Sequence, residues 1–350
     1  MFQASLTQLR FALASAVLAL VAGSGVAIAQ DYPELIVTLA TDDDVFNPTT
    51  SSVFQLAQQY GYFDRHEVKV VYVGLDGSPA AAAALQSGAV DVAHLTIDSS
   101  VRLDAANGLP LRGFLSVGAG IPFLIAARDD IETVEELAGR SFAMSDIGGL
   151  DHLLTQEVLR SFGVDPNAPD FVAIGAPSVR VQALAAGQVD ATTVSFGTYA
   201  SIEDTPGLHV LISPDVFATR APAQPKFLVA REDTIEAKRE AIQRFTNAIL
   251  EASRDYAANP EKWIEAATAA RPDLSPANIA RTAEFNSTLW CVNGCLIPAN
   301  LQTSLDFIYA NPDFADVPVI GLDDIVDYSF TNKALEEMGV VETTGLDARN

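Results

Sequence analysis

The chain has 350 residues, with 21 Lys and Arg against 45 Asp and Glu, a formal net charge of -24. That balance speaks against nucleic acid and anionic membrane surfaces as partners, but leaves the sign of a small ligand open, because a pocket can oppose the net charge. Hydrophobic residues make up 49% of the chain, enough for a sizeable core, and the length predicts about two domains.

Arg10 is the only charge before Asp31. It is followed by an apolar run, Phe11 to Ala22, a Gly/Ser break, and Ala27-Ile28-Ala29. This pattern predicts a signal peptide, 1–29, cut after Ala29, and so a periplasmic mature protein. The run is shorter than the ~20 residues a spanning helix needs. No cysteine follows the cut, so no lipid anchor is expected.

Strand-like and helix-like segments then alternate. Glu34–Ala40 is a β-rich run, followed by a polar loop, Thr41–Thr50. Ser51 or Ser52 can cap a helix that runs to Tyr60. Val68–Val73 is the next strand, Gly74–Ser78 a Gly-rich turn, and Pro79 opens an alanine-rich helix ending at Gly88. Val90–Leu95, a helix over Ser99–Asn107 and Leu111–Val117 complete a first set. A second set repeats the rhythm with strands Phe123–Ala127, Arg140–Met144, Asp170–Ile174 and Val189–Val194, and helices at 150–162 and 178–186. Such alternation predicts α/β lobes, each a mostly parallel sheet flanked by helices.

Two echoes link the sets. Leu85-Gln-Ser-Gly-Ala-Val-Asp91 parallels Leu184-Ala-Ala-Gly-Gln-Val-Asp190. Phe123-Leu-Ile-Ala-Ala-Arg128 parallels Phe227-Leu-Val-Ala-Arg231. The second pair is read as bracketing the second lobe. The expected domains are 30–121 plus 232–342 for a discontinuous first lobe, 122–231 for the second, and a disordered tail over 343–350. Helical segments over 234–259, 261–270, 275–282 and 298–310 should pack back on the first lobe.

Cys291 and Cys295 enclose Val-Asn-Gly. In an oxidising compartment a pair closing so short a loop reads as a disulfide. A metal site lacks partners, since the four histidines are scattered.

Ala57-Gln-Gln-Tyr-Gly-Tyr-Phe63, the 85–93 segment and Glu135-Glu-Leu-Ala-Gly-Arg140 resemble ABC-transporter solute-binding proteins for sulfonates, nitrate and thiamine-precursor pyrimidines. That resemblance implies a two-lobed periplasmic-binding fold of the second type, hinge closure on a ligand, and a permease as partner.

Ligands of α/β sheets bind beyond the carboxyl ends of the strands, where helix N-termini favour anions. In the first lobe this singles out Asp44, Phe46, Asn47, Gly77, Ser78, Thr96 and Asp98. In the second it singles out Ser145, Asp146, Gly148, Gly149, Ser178, Ser195, Phe196 and Tyr199. Phe46, Phe196 and Tyr199 are candidates to stack on a planar ring, and Trp290 to cover the cleft. Asp98, Asp146 and Asp151 suit a cationic or N–H-rich ligand, although Asp146 also reads as a helix cap and Asp151 as a first-turn charge. His94, inside an apolar strand, reads as core. No nucleophile–base pair, metal cluster or phosphate loop stands out. The expectation is a monomeric, non-enzymatic binding protein without cofactor or metal, taking a planar heterocycle or an oxyanion. The alternatives are a pyridoxal-phosphate enzyme of the same fold, or the receptor of another uptake or sensing system.

Overall fold

The computed structural model describes residues 32–40, 46–75, 77–221, 226–343 and 347–349. The expected signal peptide and the candidate Asp44 lie outside the described residues. Among those described, no helix is long and apolar enough to cross a membrane.

The predicted strands pair in two separate five-stranded sheets. The first contains β1 (Glu34–Thr38), β2 (Lys69–Tyr72), β3 (Val92–Thr96), β4 (Leu111–Leu115) and β10 (Lys226–Arg231), in the order β2-β1-β3-β10-β4. The second contains β5 (Phe123–Arg128), β6 (Ser141–Met144), β7 (Asp170–Ala173), β8 (Ala191–Ser195) and β9 (Leu208–Ile212), in the order β7-β6-β8-β5-β9. β9 was not anticipated, although four of its five residues are apolar; its residues are only half-buried apart from Ile212.

The two orders are the same pattern twice. In each sheet the first three strands are parallel, and the fourth is antiparallel to its neighbours. The Val-Asp echo has one role in both lobes. Asp91 Oδ2 accepts from Ile36 N at 2.8 Å, and Asp190 Oδ2 from Ser141 N at 3.0 Å, so each carboxylate ties its strand to its parallel neighbour.

The Phe-to-Arg echo needs a correction. β5 begins the second sheet as expected, but β10 sits in the first, between β3 and β4. Four consecutive buried residues in each of these strands explain why. A strand apolar on both faces has to be an interior strand, and each sheet offers one interior antiparallel slot. The chain therefore returns to the first sheet before Lys226, not after Arg231.

The helices Glu232–Ala258, Pro260–Ala270 and Pro276–Ser287 pack on the first sheet, where Phe245, Ile249, Tyr256 and Trp263 are buried with Leu35, Val37 and Phe54. Thr49, rather than Ser51 or Ser52, caps the turn at 50–52, its Oγ1 accepting from Ser51 N. The alanine-rich helix starts at Gly77, two residues before Pro79.

Cys291 and Cys295 are bonded. Their loop lies against the first crossover between the sheets. Ser116 N donates to Gly294 O at 3.0 Å, Ala119 N to Leu289 O at 2.9 Å, and Gly118 bridges Trp290. The tail expected to be disordered holds the loop from the other side. Asp347 is 2% exposed, and its carboxylate accepts from Asn293 N at 2.6 Å and Cys295 N at 2.8 Å. The loop's amides have no ladder to join, and a buried carboxylate from the tail satisfies them.

Candidate ligand cleft

The carboxyl ends of the two sheets face each other, and the lobes touch. Phe196 of the second lobe lies 5.6 Å from Phe285 of the first. Arg281 Nη2 is 2.6 Å from Glu203 Oε1, and Asn278 donates to Ala200 O. A Cβ on Gly197 would stand 2.9 Å from Pro48 O, so only glycine admits the first-lobe loop this close. At the other flank, a Cβ on Gly148 would meet Asp313 Oδ2 at 3.3 Å.

The second-lobe wall is built on a buried ion pair. Arg180 Nη1 is 2.7 Å from Asp151 Oδ2, with the two side chains 4% and 5% exposed. Arg180 also donates to Thr193 O at 2.6 Å and Gly175 O at 3.1 Å. Asp151 in turn accepts from Ser145 N, Ser145 Oγ and His152 N. The pair thus fixes the turn after β6 and joins two helices to β8. His152 is buried, its Nδ1 accepts from Gly148 N at 3.0 Å, and burial lowers its pKa. Asp151 serves as a strut here and is spent on its own lobe.

The first-lobe wall carries unmatched charge. Asp98 opens the helix after β3, is 2% exposed, and its Oδ1 has no hydrogen-bond partner. Burial pushes its pKa up to about 6, with Thr96 hydrogen bonding and Arg102 opposing. Lys226 pairs with Thr96 in the strand register and is half-buried. Burial lowers its pKa to about 8 against the attraction of Asp98 and Asp151. It makes no ion pair within 4.0 Å among the described residues. Asn47 Oδ1 is a second buried acceptor without a partner, beside Gly197.

The sequence-predicted residues divide accordingly. Asn47, Thr96, Asp98, Ser145, Gly148, Gly149, Ser195 and Phe196 stand at or beside the lobe junction. Thr96 Oγ1 donates to Ser99 Oγ at 2.7 Å, and Ser195 Oγ caps its helix by accepting from Thr198 N. Gly77 and Ser78 are half-buried at the start of their helix, while Asp146 and Ser178 are exposed. Three of the aromatic candidates are buried. Phe46 is 8% exposed and packs 6.4 Å from Trp263; Tyr199 is buried in the second-lobe core; Trp290 stacks on Tyr256 at 6.1 Å. His94 is core, as expected: its ring meets Phe54 edge-on at 5.2 Å and burial holds it neutral. Sequence reasoning missed Lys226 and Arg180. The signal for Arg180 was a lone cation between Val179 and Val181, the one charge in its helix.

Comparison with known proteins gives a consistent picture. The family described as NMT1/THI5 like matches residues 49–263. The taurine-binding periplasmic protein of Escherichia coli (strain K12) is 24% identical over 212 residues, 60% of this chain; the matched part is 62% of that protein, under two thirds of its length. Among solved structures, the alkanesulfonate-binding protein SsuA from Xanthomonas axonopodis pv. citri bound to MOPS superimposes with a TM-score of 0.68 at 18% identity, covering 85% of this chain and 98% of that one. The periplasmic nitrate-binding protein NrtA from Synechocystis PCC 6803 gives 0.68 at 13% identity, over 89% and 90% of the two chains. These likenesses extend the two-lobed arrangement over nearly the whole of the described chain, and with more than half of the sequence inside the family match, the chain belongs to the NMT1/THI5-like family.

Proposed function

We propose that this chain is the periplasmic solute-binding component of an ABC uptake transporter, and that it carries a small oxyanion between its lobes to a permease. The observation behind the choice of ligand is Lys226. It is a half-buried cation at the lobe junction, unpaired among the described residues, and a desolvated cation of this kind calls for an anion. Relatives named for taurine, alkanesulfonate and nitrate support the same class. The planar-heterocycle reading loses ground, because Phe46, Tyr199 and Trp290 are committed to cores and Phe196 leans on Phe285. Affinity comes from lobe closure over the site, and the protein acts as a monomer without cofactor or chemistry of its own.

Thermal-shift screening of the mature protein against ethanesulfonate, taurine, nitrate and an aminopyrimidine tests this. An anion that binds only the folded state raises the melting temperature by mass action. Stabilisation by the pyrimidine alone would sink the ligand assignment. A mass spectrum showing a pyridoxal group bonded to Lys226, with turnover, would sink the transport reading.

A further inference from the structure

We infer that His152 is a proton-sensitive catch between the lobes: its neutral ring holds the turn that the second lobe sets against Asp313 of the first, and protonation releases that turn. The consequence for ligand retention rests on the solute-binding reading; the catch itself does not.

The helix Leu150–Ser161 opens at the flank where the lobes meet. Leu153, on its first turn, is 1% exposed and buried in the first-lobe cluster that holds Ile97, Leu301 and Phe314. Just ahead of the helix, a Cβ on Gly148 would stand 3.3 Å from Asp313 Oδ2 and 3.8 Å from Arg102 Nη2. Those two residues belong to the first-lobe turn Pro312–Phe314 and the helix Arg102–Ala106. Arg102 in turn lies over the Phe314 ring, 4.0 Å from its centroid. Gly148 and Leu153 are therefore seated on one patch of the first lobe.

His152 lies between these two contacts in the chain. Its Nδ1 accepts from Gly148 N at 3.0 Å, so the neutral ring carries its proton on Nε2. An imidazolium has N–H on both nitrogens and cannot accept. A second proton thus sets two donors against each other, beside a ring that is 5% exposed and edge-on to Phe171 at 4.6 Å. Relief comes from moving Gly148, the residue in contact with Asp313.

The charged groups on this side are Asp151 on the same helix, Arg180 paired with it, and Asp313 and Arg102 from the first lobe. Asp151 and Asp313 favour the imidazolium, but burial outweighs both and lowers the His152 pKa from its ordinary 6.5. A seated His152 therefore takes up a proton less readily than a solvated one, and by linkage the proton favours the unseated arrangement. The catch holds at neutral pH and weakens as pH falls below 6.5.

The test needs no ligand. In the mature protein, NMR titration should place the His152 ring below 6.5. As that ring charges, the Gly148 amide should exchange faster relative to its intrinsic rate. Spin labels on Gln182→Cys and Asp316→Cys, exposed positions on opposite lobes, should show the more distant population grow over the same pH range. The expected growth is roughly 2–10-fold, the worth of one net hydrogen bond. His152→Gln keeps an uncharged acceptor for Gly148 N and should flatten both responses. Asp313→Asn removes the first-lobe charge that favours the imidazolium and should move the transition to lower pH. A ring that titrates at 6.5 or above, or an opening with the same pH course in wild type and His152→Gln, overturns the inference and leaves the transport proposal standing. Should His152→Gln fail to fold, an unmoved transition in Asp313→Asn overturns it instead. If these pH responses appear while no anion stabilises the protein, the catch stands and the oxyanion proposal falls.

Discussion

The Asp151–Arg180 pair offers the most demanding quantitative test. In Arg180→Met the aliphatic stem is largely kept and the guanidinium is lost. Asp151 remains in a site 5% exposed, and Thr193 O and Gly175 O lose a donor. Breaking a buried pair from one side costs about 3–5 kcal/mol. Asp151 keeps its bonds from Ser145 and His152, which pulls the figure down, while the two deprived carbonyls push it up. We expect a loss of about 4 kcal/mol. At about 2 cal/mol/K per residue over Pro33–Asn350, that is a fall of roughly 6 °C in Tm. Asp151→Asn should cost a similar amount by stranding the cation. In the double variant the two losses should not add, leaving a coupling of about 2 kcal/mol in urea melts. Additivity within about 0.5 kcal/mol would refute the pair as the fastening of the second-lobe wall.

Three further expectations follow from other parts of the molecule. Asp98 ionises at about 6 in the fold against 3.8 in an unstructured peptide, so its contribution to stability is full below 3.8 and is lost as pH rises through 6. Ligand-free Asp98→Asn should therefore be the more stable form at pH 8, by up to about 3 kcal/mol, with the gap about halved at pH 5 and closed only below 3.8 in parallel thermal melts. Replacing both Cys291 and Cys295 with Ser opens a loop of sequence separation 4 and should cost about 2 kcal/mol; reductant should shift the wild-type urea midpoint and leave the variant unmoved. Ending the chain at residue 343 removes Asp347 and should speed hydrogen exchange at the Asn293 and Cys295 amides well beyond any global loss of stability.

Much of the architecture was legible because it is written in short apolar runs. Nine of the strands were anticipated, and the Gly-x-Val-Asp echo marked lobes whose matching aspartates do matching work. The sheet that owns β10 was not legible. Phe227–Arg231 has the same pattern wherever it docks, and only the vacancy between β3 and β4 decides. At the site, loop positions could be placed from topology, but side-chain direction could not. Phe46, Tyr199 and Trp290 are buried in cores, where a large ring gains more than at a wet junction. Lys226 was not read as a ligand group, since a single lysine at the start of an apolar strand sits in no recognisable motif. Asp347 escaped notice since a polar tail offers no periodicity to read.

The crossover between β4 and β5 bears on how the molecule moves. Up to Ala119 its backbone is stitched to the disulfide-closed loop, and from Pro122 it is stitched to the second lobe, where Pro122 O accepts from Phe196 N at 2.8 Å. Between those two fastenings lie only Gly120 and Ile121, and Ile121 is already packed in the second-lobe core. On this side of the molecule the fulcrum is therefore about one residue long. A fulcrum that short would turn a swing of the second lobe into rotation about a nearly fixed point, with little sliding.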